Sequence, residues 1–129
     1  MQLLLDEKTL RCVWGSTGEF WFSRVDYTVH SSADLGEDNS VSLVENGFVP
    51  FITISNEELI RAYIKFLDNK KVSAVFDKLS SEEITETFWK YFNAYQEISK
   101  GFDSFEHKFV LDKVVDWCND NGVEYKIAE

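Results

Sequence analysis

His30, His107, Cys12 and Cys118 are the side chains best suited to proton transfer or nucleophilic attack near neutral pH. Their spacing assembles no familiar constellation. His30 closes the segment RVDYTVH beside Ser31, Ser32 and Asp34, where a His–Asp or Ser–His pairing would begin a relay, although a solvated loop histidine is the commoner outcome. His107 falls in the first turn of the last predicted helix, where the positive end of the dipole disfavours an imidazolium. The cysteines stand near opposite ends of the chain and read as buried small apolar residues, not as a disulfide or a zinc pair.

Carboxylates offer a second chemistry. The loop DLGEDNS invites comparison with a calcium loop, because Glu45 is twelfth from Asp34. An EF-hand needs oxygens at alternate positions with glycine sixth, whereas glycine here is third, so the match fails and leaves at most a weak surface site between Asp34 and Glu45. No glycine-rich phosphate loop occurs. The sequence therefore predicts no catalytic residues, no metal and no cofactor, and a protein that is not an enzyme.

Charge points to binding instead. The chain has 13 basic and 23 acidic residues, a net charge of -10, and its field repels phosphate backbones and anionic lipid surfaces while attracting basic proteins. Between Val25 and Ile60 there is no lysine or arginine, yet Asp26, Asp34, Glu37, Asp38, Glu45, Glu57 and Glu58 all occur. Such a block is either a solvated surface or a face presented to a basic partner. Nucleic acid and membrane are excluded as partners on the same grounds. MQLLLDEKTL carries no basic segment ahead of its leucines, and no apolar run approaches membrane-spanning length, so a cytoplasmic location is expected.

The elements that must position these residues divide by type. One domain over 1–129 is expected, of α+β class: an N-terminal antiparallel sheet of short strands packed on three to four C-terminal helices, with a closing C-terminal strand. LLL and LRCVW flank Asp6-Glu7-Lys8-Thr9, which reads as a hairpin loop; FWF follows, then RVDYTVH after a bulge or turn near Ser23 and Arg24. Residues 31–42 read as a loop, and FVPFITI as a strand in which Pro50 suggests an edge position or a strand start. Ser55 with Glu58 and Ser80 with Glu83 form capping boxes. The first predicted helix reaches Asp68, a short one carries Val72, Val75, Phe76 and Leu79, and a long one spans Glu82 to Ser99 before Gly101. Another begins near Ser104 and ends at NDNG, after which Val123, Tyr125 and Ile127 alternate as a strand.

This order of parts resembles a family of small bacterial cytosolic proteins known only as an uncharacterised protein family. The likeness rests on LLLDEKT, FVPFITISNEELIRAYIKFLDNKKV, FWKYFNAY and VVDWCNDNGVEY, about two thirds of the chain. It departs where Trp89-Lys90-Tyr91 replaces basic residues, and EFWFSRVDYTVH has no counterpart. The resemblance implies a fold and carries over no functional residue.

The helix TFWKYFNAY joins the two lines of reasoning. At 100° per residue, Ile84, Phe88, Tyr91, Phe92, Tyr95 and Ile98 share one stripe, which predicts a core facing Val114 and Trp117 or Cys118 and a cost of ~3 to 5 kcal/mol for Phe92→Ala. Trp89 falls outside it, beside Glu82, Glu86 and Asn93, either packed beneath the acidic loop or exposed as an anchor among acids. The expected function is a non-catalytic acidic binding protein of the immunity or antitoxin kind, which neutralises a basic effector such as a nuclease toxin. Its contact residues would be Asp34, Glu37, Asp38, Glu45, Glu82, Glu86 and Trp89. The alternatives are a bacterial housekeeping protein of the family above with another partner, and a small enzyme or weak metal binder using His30 or the loop from Asp34 to Glu45.

Overall fold

The structure, a computed structural model, describes residues 1–15, 19–35 and 40–128, with backbone alone at 34, 35 and 40–42. In chain order the elements are β1 (Leu3–Leu5), α1 (Glu7–Arg11), a 3-10 turn (Cys12–Trp14), β2 (Phe20–Ser23), β3 (Thr28–Ser31), α2 (Ser32–Leu35), α3 (Ser40–Glu45) and β4 (Phe48–Pro50). Next come α4 (Asn56–Leu67), α5 (Lys70–Phe76), α6 (Ser81–Ala94), α7 (Gln96–Ser99), α8 (Phe102–Asp120) and β5 (Tyr125–Ile127). The class is α+β, with strands gathered at the N-terminus and a strand closing the described chain. Two compact units result, Met1–Ile54 with Val110–Glu129, and Ser55–Phe109.

In the first unit β2 is the central strand of an antiparallel sheet ordered β3-β2-β4. Phe22 and Trp21 point to opposite faces and both are buried, as a central strand covered on two sides requires. The turn expected near Ser23 is present. Ser23 Oγ accepts from the amides of Val25 and Asp26 at 3.2 and 3.4 Å, and Tyr27 adopts a left-handed φ of 57° to start β3. β4 is an edge strand, and Pro50, which has no N–H to give, lies at its end. The last turns of α8 bring Trp117 edge-on to Phe22 and Phe51, with ring centroids 5.6 and 5.0 Å away, and its Nε1 donates to the Pro50 carbonyl at 3.2 Å.

The predicted first hairpin does not form. Asp6 accepts from Thr9 N at 2.9 Å and caps α1, so LRCVW is helical and β1 pairs with β5 in parallel, Leu3 opposite Tyr125. An aspartate three residues before a threonine satisfies an orphan amide of a first turn, and that local bond overrides the strand propensity of the apolar run. The loop expected over 31–42 likewise contains the end of β3, all of α2 and the start of α3, which buries Leu43.

In the second unit Ser55 caps α4 as expected, accepting from Glu58 N at 3.1 Å. Asp68, left-handed at φ 50°, ends that helix, and Asn69 caps α5. Ser80 also starts a helix where expected, but its hydroxyl donates to Glu83 Oε1 at 2.9 Å instead of accepting from a backbone amide. Arg61 and Ser81 both donate to Glu57 Oε1 at 3.0 Å, and Arg61 also reaches the Leu79 carbonyl, which links α4 to the start of α6. The long helix predicted to Ser99 breaks at Tyr95, whose backbone is extended (φ -124°, ψ 116°). The buried Tyr63 hydroxyl donates to the Ile98 carbonyl at 2.6 Å just beyond the break, while Gly101 turns into α8 with φ +100°. Tyr63 meets Phe88 and Phe102 edge to face, Phe88 and Phe102 lie tilted against each other, and the three form this unit's aromatic core.

Candidate functional site

Glu82, Glu86 and Trp89 share one face of α6, as positions i, i+4 and i+7 of a helix must. Glu82 lies in the first turn, where a carboxylate complements the helix dipole, and Glu86 pairs with Lys90 at 3.4 Å. Trp89 is 44% exposed. The covered side of its ring meets Phe92 and Phe102, with centroids 5.1 and 6.0 Å away, so the indole is held in place while its other side faces solvent. A large ring fixed by aromatic neighbours and bordered by carboxylates can take an alkyl chain or a cation without first being ordered.

The remaining predicted contact residues lie in the first unit. Asp34 belongs to α2, and Glu45 is exposed at the end of α3. Glu37 and Asp38 lie outside the described residues. The acidic block is not uniformly available, because two of its members hold the fold: Glu57 through Arg61 and Ser81, and Asp26 through the turn it occupies.

That turn brings together a polar cluster that includes His30, a histidine suspected from sequence. Asp26 Oδ1 accepts from Thr28 N and Thr28 Oγ1 at 3.1 and 2.7 Å, and Asp26 Oδ2 lies 2.9 Å from His30 Nε2. Thr28 Oγ1 is also 2.8 Å from the same Nε2. A nucleophile-activating relay needs the carboxylate on one imidazole nitrogen and the hydroxyl on the other. Here both meet Nε2, so the geometry is that of a clamp across the β2–β3 turn. Burial alone would raise the Asp26 pKa, but hydrogen bonds from Thr28 and His30 outweigh it and hold the carboxyl below its ordinary value. The partner is Asp26, while the side chain of Asp34, considered from sequence, lies outside the described atoms. Only part of the signal for this pairing was in the sequence: Thr28 and His30, two apart, share one side of β3, whereas Asp26 joins them through the left-handed turn at Tyr27.

His107 is exposed on α8. Cys118 is buried, and desolvation pushes its thiol up to about 11; Cys12 is half-buried and its thiol is raised for the same reason. Among the described residues, no group of three or more His, Cys, Asp or Glu side chains is placed to hold a metal ion, and no helix is long and apolar enough to cross a membrane.

Sequence reasoning missed two surface features of the second unit. Phe66 is 66% exposed, stacked on Tyr63 and tilted against Phe105, with centroids 6.3 and 5.0 Å away. A groove of about 270 Å³ runs beside the break at Tyr95, which is exposed where the stripe predicted it buried. An uninterrupted helical period hid the second, because nothing in TFWKYFNAYQEIS marks a break by proline or glycine. No family model, no curated protein and no solved structure matches this chain.

Proposed function

We propose that this is a non-catalytic acidic binding protein of the immunity or antitoxin kind, acting in the cytoplasm by covering a basic effector such as a nuclease toxin. One observation carries the reading: Trp89 is half-exposed on a helix face that it shares with Glu82 and Glu86. A rigid indole among carboxylates suits a lysine- or arginine-bearing surface, with the ring supplying contact area and the acids excluding like-charged proteins. The net charge of -10 acts in the same direction at longer range, drawing a basic protein into encounter.

The test is affinity capture from the native cell with the wild type, Trp89→Ala and Glu82→Lys/Glu86→Lys in parallel. The reading expects a basic protein held by the wild type and lost by both variants. The indole should act on dissociation and the two carboxylates chiefly on association and its salt dependence. Retention of the same protein by all three would remove the Trp89 face from the function.

A further inference from the structure

The groove beside Tyr95 is lined by Val72 and Val75 of α5, by Tyr91 of α6, and by Tyr95 and Ile98 at the break. Val75 and Tyr95 are among the exposed large apolar residues of the chain, 37% and 49% accessible. An aromatic and aliphatic patch with open edges has the composition of an interface centre, where charged residues are few. Two of its lining residues carry charge, Lys71 and Glu97, one of each sign. Among the described residues neither takes part in an ion pair, and both are exposed.

That balance identifies the occupant. A strongly basic partner would select an acidic rim, and an acidic partner a basic one. A two-fold contact brings one patch against itself, so each cation must find an anion at the reciprocal position. One lysine and one glutamate meet that condition. The neutral rim also matters because the net charge of -10 makes two copies repel over the rest of the surface.

We propose that the groove is a homodimer interface, in which Tyr95 of each copy enters the groove of the other and Lys71 pairs with Glu97 of the second copy in both directions. The inference does not depend on the reading of the Trp89 face. Tyr91 lies roughly 160° around α6 from Trp89, so the dimer leaves that face open on each copy.

Sedimentation velocity over a concentration series tests the proposal, with circular dichroism confirming that each variant is folded. The wild type is expected to dimerise. Lys71→Glu and Glu97→Lys, each placing like charges together, should weaken the dimer by roughly tenfold or more, and Tyr95→Asp should abolish it. The double variant Lys71→Glu/Glu97→Lys restores opposite charges and should recover the dimer, which a merely structural role for either residue would not produce. A wild type that stays monomeric up to about 1 mM, the weak end of specific association, would assign the groove to a different occupant and overturn the proposal. A dimer indifferent to the three single variants would place the contact elsewhere and overturn it equally.

Discussion

Replacing Tyr63 with Phe removes one oxygen atom and tests how the α6–α7 break is held. Tyr63 is 1% exposed, and its hydroxyl donates to the Ile98 carbonyl at 2.6 Å. The ring is unchanged in Tyr63→Phe, so its contacts with Phe88, Phe102 and Phe105 persist and no large cavity opens. What is lost is a buried hydrogen bond, and the Ile98 carbonyl loses its donor from α4, at a cost of about 1 to 3 kcal/mol. For a chain of 129 residues that range corresponds to a melting temperature lower by about 4 to 12 °C. Urea denaturation should show a lower midpoint with an unchanged slope, since the surface exposed on unfolding is the same. Amide exchange gives a local readout: Ser99 N and Lys100 N, bonded to the carbonyls of Tyr95 and Gln96, should exchange faster than amides inside α4. Tyr95→Phe is the control, an exposed phenol expected to change stability by less than about 0.5 kcal/mol. If Tyr63→Phe is equally silent, the hydroxyl does not hold the break and the account given for it is wrong.

Four further outcomes are expected. Phe88→Ala, at a site with no exposed surface and rings on several sides, should cost ~3 to 5 kcal/mol, whereas Phe92→Ala, only half-buried, should cost ~1 to 2 kcal/mol; chemical denaturation ranks the two, and equal values would refute the burial assigned here. Trp89→Ala should lower affinity for a captured basic partner by ~2 kcal/mol or more, measured by calorimetry, with a smaller loss of stability. The buried Cys118 thiol is favoured neutral, so its contribution to stability should be complete below the ordinary value of 9.0 and lost as pH rises toward about 11, with thiol titration of the native protein reporting it only after unfolding. Asp26 is favoured ionised, so the β2–β3 clamp should hold above its ordinary value of 3.8 and loosen as pH falls through the lowered one; in Asp26→Asn the turn amides should lose that acid transition in NMR spectra.

Legibility followed the range of the interaction. Ser55 at a helix start and Gly101 and Gly122 after helix ends were readable because each acts through its own backbone, and the structure gives both glycines positive φ. Asp6 was misread for a related reason: an aspartate caps a helix or opens a turn, and the choice rested on β1 finding a strand at the far end of the chain. Tyr95 shows where local periodicity fails. Its position in the stripe is consistent with one helix, and only the hydroxyl of Tyr63, on another helix, coincides with the interruption. In the candidate site, the shared face of Glu82, Glu86 and Trp89 followed from helical spacing, whereas the exposure of Trp89 depended on where Phe92 and Phe102 came to rest.

The parallel pairing of β1 with β5 has a consequence for the order in which the molecule is made. Leu3 is synthesised well before Glu124, whose carbonyl accepts its amide at 2.8 Å, and the rest of β1 also waits for β5. Residues 55–109 lie between, and the contacts that define their unit are all internal to that stretch, so they can close while the chain is still being extended. Of the two units, the one begun earlier is therefore completed later. During that interval Leu3 and Leu5, each buried in the finished protein, are without their partner strand, and β1 is an open edge on a nascent chain. Pausing of translation before residue 125 should lengthen that exposure, making chaperone capture or aggregation during synthesis more sensitive to Leu3 and Leu5 than to any residue of the helical stretch.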